Sequence, residues 1–375
     1  MKIAFTGDGT SGHFYPIVAM AEYVQDEASA RHLVPPKLFY IAANEYNPVL
    51  LFNNQINFIK HGNTISHETD FSIGVRHYFI HFFGILSSLA LLFRLYPDVI
   101  LTKGGHDSFT LLVAAKWLGI PVVIHESDSI PSEINIWASK FAKRIATSYP
   151  TSYTLFPEKK TAYVGQPVRK EIEHPLSEGA VEYLLLEPNL PTILVLGGIE
   201  NDSVINDTIV NSLPLLLDRY QIIHQTGRAD ITGIREISKV ILKDSPHLSR
   251  YHPYSYLDDL AIRMSAGQAT LAITQASSVI FELAAWQIPS IVIPQKVSSQ
   301  DHQRKNAFSY ARAGAGEVVE EVNLTPHLLV SEIDRLVQNG PVREQMKLAA
   351  KDFYKTDAGK KIADVLLDIT ITHEN

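Results

Sequence analysis

The sequence contains no cysteine among its 375 residues, which excludes disulfide bonds and zinc sites built on thiolates. It shows no secretory signal, because one lysine is followed by a short apolar run that becomes glycine-rich within a strand's length. The formal net charge is −7, so the chain lacks the basic balance that a general nucleic-acid-binding protein would need. These absences favour a cytoplasmic protein without a nucleic-acid partner.

The sequence also lacks an apolar run long enough for an ordinary membrane span. The stretch from Tyr78 to Phe93 carries no formal charge except a possible one on His81, but it has sixteen residues, and a span needs about 20. Arg76 and Arg94 flank it. Three interpretations stay open: a buried helix, a half-exposed helix against a membrane surface, and a true span. Up to residue 165 the basic and acidic residues are equal in number, so this half is the better suited to an anionic surface.

Short apolar or β-rich runs alternate with helical stretches along the whole chain. This alternation is typical of a parallel sheet covered by helices on both faces. The predicted strands are Lys2–Thr6, Lys37–Ala43, Ile56–His61, Val99–Lys103, Val122–His125, Arg144–Ser148, Thr192–Gly197, Gln221–Thr226, Leu271–Thr274, Ser290–Pro294 and Gly316–Glu320.

The pattern of strand, glycine turn and helix begins twice, first at residue 2 and again at residue 192. We therefore predict an N-terminal domain over residues 1–165 and a second domain over 166–341. The last amphipathic stretch, 342–375, has no strand after it and is predicted to be a helix that packs back across the domain junction. A ligand is expected in the cleft between the domains, at the carboxyl ends of both sheets.

The first turn of the chain is rich in glycine. Gly7, Gly9 and Gly12 stand between the first predicted strand and a helix, where the backbone can bend sharply and approach a ligand. A helix N-terminus exposes unpaired N–H groups and the positive end of the helix dipole. The segment therefore indicates a site for an anion or a polar sugar, although a tight strand-to-helix turn without a ligand would show the same sequence pattern.

Nine segments occur in one order: TGDGTSGHFYP, DVILTKGGHDSF, GIPVVIHESDSIPSEIN, VGQPVR, ILVLGG, HQTG, YLDDL, ELAAWQIPSIVIP and DHQRKNA. In order and spacing they resemble the MurG family of bacterial transferases, which add N-acetylglucosamine to lipid I to make lipid II. The resemblance extends from residue 1 to about residue 320. It implies an α/β fold of the GT-B type, with two Rossmann-like domains facing each other across a deep cleft.

The resemblance also implies a donor site for UDP-N-acetylglucosamine, held mainly by the second domain. Glu282 would accept both ribose hydroxyl protons; alternatively it only complements a helix dipole. The backbone at Leu257 would read the uracil edge. Gln303 would contact the sugar hydroxyls, since an amide both donates and accepts, unless it is a surface glutamine on a loop. Arg169 would contact the donor, because a guanidinium fits a phosphate; a hinge salt bridge is its alternative.

His13 is the candidate catalytic base. The implied reaction converts an α-linked donor sugar into a β-glycoside, so the attacking hydroxyl must lose a proton, and a histidine can accept it near neutral pH. In the family the matching histidine is a base or a diphosphate contact, and a histidine at a helix start could also merely cap the helix. The other substrate-binding candidates that the resemblance implies are Thr10, Ser11, Gly12, Asp128, Asn135, Ile199, Ser277 and Ser278.

Some positions depart from the family pattern. Ile199 replaces a serine, which leaves only a backbone N–H for the diphosphate. Asp128 stands where an asparagine usually contacts the donor, so its extra charge should weaken binding unless it is protonated or turned away. Thr274 and Ala276 replace an arginine and a glycine. These departures keep open a non-catalytic relative or one with another lipid-linked acceptor, and an epimerase of UDP-N-acetylglucosamine is a third alternative.

We expect no metal and no cofactor, because no Asp-X-Asp pair ends a predicted strand and helix N-termini and cations can stabilise the leaving group. The implied partners are UDP-N-acetylglucosamine, lipid I (the undecaprenyl-linked muramoyl-pentapeptide) and an anionic membrane surface. The implied location is the cytoplasm, peripheral on the inner face of the membrane, with a role in peptidoglycan synthesis and hence in cell shape, division and the cell cycle.

Overall fold

The computed structural model describes residues 1–62, 75–197, 203–296 and 301–374. The chain forms two compact units. Unit 1 comprises Met1–Arg169 and Lys355–Asn375, and unit 2 comprises Lys170–Tyr354. The chain thus leaves unit 1 four residues after the predicted boundary and returns to it for its last segment.

The strands form one sheet in each unit. Their bounds are β1 Lys2–Thr6, β2 Lys37–Ala42, β3 Ile56–Lys60, β4 Val99–Thr102, β5 Val122–Glu126, β6 Arg144–Thr147 and β7 Thr161–Tyr163 in unit 1, and β8 Thr192–Leu196, β9 Gln221–Gln225, β10 Tyr251–Tyr254, β11 Ala269–Thr274, β12 Ser290–Val292 and β13 Gly316–Val318 in unit 2.

Helices connect the strands. Asp258 and Thr325 cap two of them by accepting from the third following amide, which satisfies a free N–H of the first turn. The bounds are α1 Ser11–Ala30, α2 Pro48–Asn53, α3 Val75–Leu95, α4 Phe109–Leu118, α5 Glu133–Ala138, α6 Pro150–Tyr153, α7 Lys170–Glu173, α8 Ala180–Tyr183, α9 Ser203–Leu216, α10 Ile231–Ile241, α11 Asp259–Gln268, α12 Val279–Ala285, α13 His302–Arg312, α14 Pro326–Gln338, α15 Gly340–Phe353 and α16 Ala358–Glu374.

The sheet of unit 1 has the strand order β3-β2-β1-β4-β5-β6-β7, and every pairing is parallel. The order reverses between β1 and β4, where Thr6 lies opposite Thr102. Apart from the half-buried Lys2, both strands are buried, and most of their residues are apolar, because helices cover the sheet. In open parallel sheets a ligand binds outside the carboxyl ends of the strands at this switch point. The loops that follow Thr6 and Thr102 are therefore the candidate site of unit 1.

The sheet of unit 2 has the order β10-β9-β8-β11-β12-β13, again with parallel pairings. Its switch point lies between β8 and β11, where Leu196 is opposite Thr274. Every residue of β8 is buried, as its unbroken apolar run predicts. The prediction of an α/β protein with two Rossmann-like domains is confirmed.

Two strands, β7 and β10, were missed by the sequence interpretation. Both are edge strands: β7 pairs with β6 and β10 pairs with β9. Their residues are mostly half-buried, so they lack the apolar run of a central strand. Pro253 is tolerated in β10 because an edge strand can leave one N–H position without a ladder partner.

The predicted single helix at the C-terminus is two helices. α15 packs on α12 in unit 2, whereas α16 packs on α1 in unit 1. The hydroxyl of Tyr354, the last residue of unit 2, donates to Glu173 Oε1 at 2.9 Å. Gly359 then lies against the Tyr23 ring, where no side chain would fit. The C-terminal segment therefore forms two helices that pack on different units, although its amphipathic sequence pattern is continuous.

The apolar run after residue 78 lies in α3. Phe82, Phe83 and Phe93 are 57%, 63% and 74% exposed, whereas Ser88 and Leu92 are fully buried. From residue 82 onward, where side chains are described, α3 is half exposed, so the buried-helix interpretation is wrong there. Within the described ranges, no helix combines the length and the hydropathy that a membrane span requires.

Candidate active site

The first loop at the switch point of unit 1 runs from Gly7 to Thr10. The His13 ring packs on Gly7, where an added Cβ would lie 3.1 Å from His13 Cβ, so a larger residue would push the ring away. α1 begins at Ser11, whose side chain lies outside the described part. Gly12 and His13 thus belong to the first turn of α1 rather than to the loop. Thr10 is exposed, and its amide and hydroxyl donate to Asp8 Oδ1 at 3.1 and 2.7 Å.

Asp8 and His13 form a hydrogen-bonded pair beside this loop. Nδ1 of His13 lies 2.9 Å from Asp8 Oδ1 and 3.2 Å from the Asp8 amide nitrogen. One ring nitrogen cannot donate to the carboxylate and accept from the amide together, and the shorter, charged contact prevails. Nδ1 therefore carries the proton and Nε2 the lone pair. A carboxylate that holds a histidine in this tautomer leaves Nε2 to act as a base.

The pair also changes the acidity of both groups. Burial opposes ionisation of each side chain, yet their mutual attraction prevails, so the pKa of His13 is raised and the pKa of Asp8 is lowered. The His13 side chain is 15% exposed, which leaves it within reach of a substrate. The ring pairs with Asp8 and not with an amide of α1.

A second loop, formed by Lys103, Gly104 and Gly105, follows β4 and touches the first one. Gly105 approaches Asp8 so closely that an added Cβ would lie 2.7 Å from Asp8 Cβ, and its φ of 88° favours glycine. The Lys103 side chain is 1% exposed, and its Nζ lies 3.2 Å from His125 Nδ1. Burial lowers the pKa of Lys103 to about 8, so the ammonium form still predominates at neutral pH.

His125 lies near the end of β5 and is neutral. Burial and the Lys103 charge lower its pKa well below the usual value. Because Nδ1 accepts from Lys103, the proton is on Nε2, which faces Ser148 Oγ at 3.2 Å and the Gly165 carbonyl at 3.3 Å. Both ring nitrogens of His125 therefore have hydrogen-bond partners, and the buried ring connects β5 to the chain around residue 165.

Glu126, the last residue of β5, anchors the loop that follows it. Its carboxylate accepts from the amides of Asp128 and Ser132 at 3.0 and 3.1 Å and from Asn135 Nδ2 at 2.8 Å. Asn135 Nδ2 also donates to the Lys103 carbonyl at 3.2 Å, and Asn135 is fully buried. Asp128 is half-buried on the anchored loop. Substrate contacts by Asn135 and Asp128 remain predictions.

The sequence interpretation missed four members of this cluster: Asp8, Lys103, His125 and Glu126. Lys103 and His125 directly follow the apolar runs VILT and VVI, and Glu126 is the next residue after His125. A charged or ionisable residue at the carboxyl end of a buried parallel strand is the signal that could have found them, because strand ends at a switch point meet ligands.

Arg169 is the last residue of unit 1 before unit 2 begins. It is 5% exposed, and its guanidinium carbon lies 5.3 Å from the centroid of the Tyr15 ring, an arrangement that gives a cation–π attraction. Tyr15 lies on α1 two residues after His13. Both a phosphate contact and a hinge salt bridge remain predictions for Arg169.

In unit 2 the segment after β11 leads into α12. The hydroxyl of Thr274 donates to the Leu196 carbonyl at 3.1 Å and ties β11 to β8 at their ends. Ser277 and Ser278 are half-buried before α12, and Glu282 is half-buried in its first turn. These predicted donor contacts thus lie together at the switch point. Ile199 lies outside the described residues.

The backbone of Leu257, the predicted uracil contact, already makes a hydrogen bond within the protein. The amide of Leu257 donates to Gln225 Oε1 at 2.9 Å, and both residues are buried. Gln225 ends β9 and belongs to the HQTG segment. A base edge could therefore use the Leu257 amide only after Gln225 moves.

Gln303 also has a partner. It lies in the first turn of α13, not on a loop, and is half-buried. Its Oε1 accepts from the Gln295 amide and its Nε2 donates to Gln295 Oε1, both at 3.0 Å. Contact with sugar hydroxyls remains a prediction, for which the amide keeps one N–H and one carbonyl lone pair beyond these two bonds.

A buried polar network that the sequence interpretation missed supports the ends of β8 and β9. Asn206 Oδ1 lies 2.9 Å from His224 Nε2, and His224 Nδ1 lies 2.9 Å from the Tyr251 hydroxyl. Burial lowers the pKa of His224 to about 3, so the ring is neutral and donates from Nε2 to Asn206. Through these bonds Asn206 joins α9 to the end of β9.

Across the described ranges, no three histidine or carboxylate side chains are placed to hold one metal ion. Metal-independent catalysis stays a prediction.

The chain matches two sequence profiles, the glycosyltransferase family 28 N-terminal domain over residues 3–147 and the C-terminal domain over residues 192–364. A "UDP-N-acetylglucosamine--N-acetylmuramyl-(pentapeptide) pyrophosphoryl-undecaprenol N-acetylglucosamine transferase" of Syntrophotalea carbinolica is 31% identical over 383 aligned positions, which cover 98% of this chain and 99% of the relative.

Solved structures share the fold. MurG of Acinetobacter baumannii superposes with a TM-score of 0.73 at 21% identity, over 98% of this chain and 99% of that one. A putative UDP-N-acetylglucosamine 2-epimerase of Listeria monocytogenes gives a TM-score of 0.70 at 13% identity, over 100% of this chain and 96% of that one. At these identities the structural similarity shows the fold alone, and transferases and epimerases share that fold. The sequence similarity to the transferase relative distinguishes between the two classes.

Proposed function

Since this chain belongs to the MurG family of GT-B glycosyltransferases, we propose that it transfers N-acetylglucosamine from UDP-N-acetylglucosamine to lipid I, forming lipid II for peptidoglycan. The Asp8–His13 pair at the switch point of unit 1 carries the proposal, because it supplies an oriented base. The transferase name of the full-length relative supports the same donor and acceptor.

In this reaction His13 Nε2 accepts the proton of the acceptor hydroxyl while the hydroxyl oxygen attacks C1 of the donor sugar. The bond between C1 and the diphosphate oxygen breaks on the opposite side, so the α-linked donor gives a β-glycoside and UDP leaves. Asp8 keeps Nδ1 protonated and stabilises the imidazolium that forms. General-base catalysis of this kind contributes about 10²–10⁴-fold.

The donor is assigned to unit 2. Glu282 would accept hydrogen bonds from the ribose hydroxyls, the backbone at Leu257 would meet the uracil edge, and Gln303 would meet the sugar. Ser277 and Ser278 precede α12 and would approach the diphosphate. Ser277, Ser278 and Glu282 follow β11 at the β8/β11 switch point, and this position supports the assignment.

The charge on the leaving diphosphate would be stabilised without a metal. The first amides of α1, at Ser11 and Gly12, lie at the positive end of a 20-residue helix. Arg169 adds a guanidinium that packs on Tyr15 in the same unit. Thr10, exposed just before α1, is a further polar contact for the acceptor.

The test is transfer to a short-chain lipid I analogue by purified protein. We expect disaccharide product, a fall of about 10²–10⁴-fold in kcat for His13→Ala, and nearly unchanged UDP affinity. His327→Ala, on the exposed face of α14, is the matched control. Donor affinity that falls with the rate would make His13 a diphosphate contact, and full activity would remove it from the mechanism. A wild-type chain that binds UDP-N-acetylglucosamine without forming product would be a non-catalytic relative.

We also propose that the protein works at the inner face of the cytoplasmic membrane, bound through α3. Phe82, Phe83 and Phe93 form an exposed apolar face, and Arg94 lies beside it. α3 packs on α4, whose end carries the 66% exposed Trp117. An apolar helix face with flanking cations suits reversible binding to anionic lipid.

Flotation with anionic vesicles at low salt tests this location. We expect binding that salt weakens and that Phe82→Ser with Phe93→Ser abolishes, whereas Leu348→Ser, an exposed apolar position of α15, leaves it unchanged. Protein that stays entirely in the soluble fraction at low salt would refute the proposal.

A further inference from the structure

The hydroxyl of Thr10 has an unusual partner for its place in the fold. Thr10 precedes α1 at the N-cap, with the extended backbone of that position (φ −82°, ψ 163°). A threonine there normally accepts a hydrogen bond from an amide of the first helical turn. Among the described residues, no first-turn amide donates to the Thr10 side chain. The hydroxyl donates to Asp8 Oδ1 at 2.7 Å instead, so it serves the loop before the helix.

Thr325 shows the ordinary arrangement in the same chain. It is the N-cap of α14, its backbone is extended, and it is exposed like Thr10. Its hydroxyl oxygen accepts from the Leu328 amide at 3.2 Å. The two threonines therefore occupy equivalent helix positions, but only Thr325 caps its helix. Asp8 accounts for the difference, because a hydrogen bond to a carboxylate is stronger than one from a neutral amide.

The carboxylate oxygen that Thr10 contacts is the one that pairs with His13. Asp8 Oδ1 lies 2.7 Å from the Thr10 hydroxyl, 3.1 Å from the Thr10 amide nitrogen and 2.9 Å from His13 Nδ1. Gly9, with a φ of 73°, permits the turn that brings the Thr10 amide back to the carboxylate. Gly105 closes the other side of Asp8, where an added Cβ would lie 2.7 Å from Asp8 Cβ. Asp8 is thus held toward His13 from two sides.

We propose that Thr10 is a positioning residue, whose hydroxyl fixes the Asp8 carboxylate, and through it the tautomer of His13, instead of capping α1. A carboxylate can turn about its side-chain bonds, and a charge-assisted hydrogen bond from a neighbouring hydroxyl opposes that rotation. The hydroxyl oxygen keeps lone pairs for a substrate hydroxyl, because only its proton is given to Asp8. This role rests on the proposed function only in giving His13 Nε2 the proton-transfer step.

NMR of ring-labelled histidines tests this role without turnover, with His13 assigned from the spectrum of His13→Gln. Above the raised pKa of His13 the ring is neutral, and its nitrogen shifts report which nitrogen carries the proton. We expect the Nδ1–H form in the native chain and in Thr10→Ser, which keeps the hydroxyl. Thr10→Val keeps the branched shape without the hydroxyl and should shift the population toward Nε2–H. It should also lower kcat about 10-fold at unchanged UDP affinity, and Thr10→Ser should recover the rate.

Thr325→Val is the matched control, because it makes the same change at an exposed N-cap threonine that does cap its helix. It should lower the melting temperature by about 2–4 °C and leave the His13 spectrum and kcat unchanged. Loss of a helix cap alone would then be excluded as the cause of a changed tautomer.

The outcomes separate two failures. A native His13 tautomer in Thr10→Val, or a tautomer that changes equally in Thr10→Ser, overturns the positioning role even if transfer activity is present. A tautomer that changes as expected in a chain without transfer activity upholds the role and overturns the proposed function. Should Thr10→Val not fold, Thr10→Ala against Thr10→Ser decides, because only the first removes the hydroxyl.

Discussion

Replacing Asn206 with alanine should destabilise unit 2 more than any nearby surface change. Asn206 is 1% exposed on α9. Its Oδ1 accepts from His224 Nε2 at 2.9 Å, and its Nδ2 donates to the Thr226 carbonyl at 2.9 Å and to Asp230 Oδ2 at 3.1 Å. The change therefore removes three hydrogen bonds and leaves a buried imidazole N–H and a buried carbonyl without these partners.

The expected loss can be worked from these groups. Each hydrogen bond contributes about 1 kcal/mol net, and each buried group left unsatisfied costs about 1–3 kcal/mol. Allowing for overlap between the two, Asn206→Ala should lower the free energy of unfolding by about 3–5 kcal/mol. For a unit of about 185 residues, a loss of 1 kcal/mol lowers the transition temperature by about 2–4 °C, so the midpoint should fall by roughly 6–20 °C.

Urea unfolding followed by circular dichroism, together with calorimetric melting, measures the loss. Asp207→Ala changes the next residue of α9, which is exposed, and should stay within about 0.5 kcal/mol of the native chain. UDP affinity should fall as well, because the network supports the ends of β8 and β9. A loss below about 1 kcal/mol, or one equal to that of Asp207→Ala, would refute the network as a stabilising element.

Three further predictions concern binding and pH. Glu282→Ala should weaken UDP binding by about 1–3 kcal/mol, whereas Glu236→Ala, exposed on α10, should not; equal affinities by titration calorimetry would remove Glu282 from the donor site. Gln225→Ala should lower the free energy of unfolding by about 1–3 kcal/mol, because the buried Leu257 amide loses its acceptor, and an unchanged urea midpoint would contradict this. Asp8→Asn should move the acid limb of kcat/KM to lower pH, because the carboxylate raises the pKa of His13, and should also lower kcat, because Nδ1–H is no longer held. A limb that stays in place would exclude His13 as the titrating base.

The sequence alone predicts the α/β class, the two-domain organisation and the central strands. β1, β4 and β8 are mostly apolar and almost entirely buried because helices cover both faces of a parallel sheet. The glycine turn after β1 also indicates where the candidate site of unit 1 is expected. The edge strands β7 and β10 were not predicted, because a half-exposed strand of three or four residues has no continuous apolar run.

The partners of the site residues depend on the tertiary structure. The loops of Asp8 and Lys103 meet only because β1 and β4 are neighbours at the switch point, although about 95 residues separate them. Likewise, the amide of Leu257 and the side chain of Gln303 have partners on other segments. α15 and α16 are separate helices for a similar reason, because each packs on a different unit. Periodicity reports burial along a local stretch of chain, whereas hydrogen bonds and charge pairs between distant segments follow from strand order and packing.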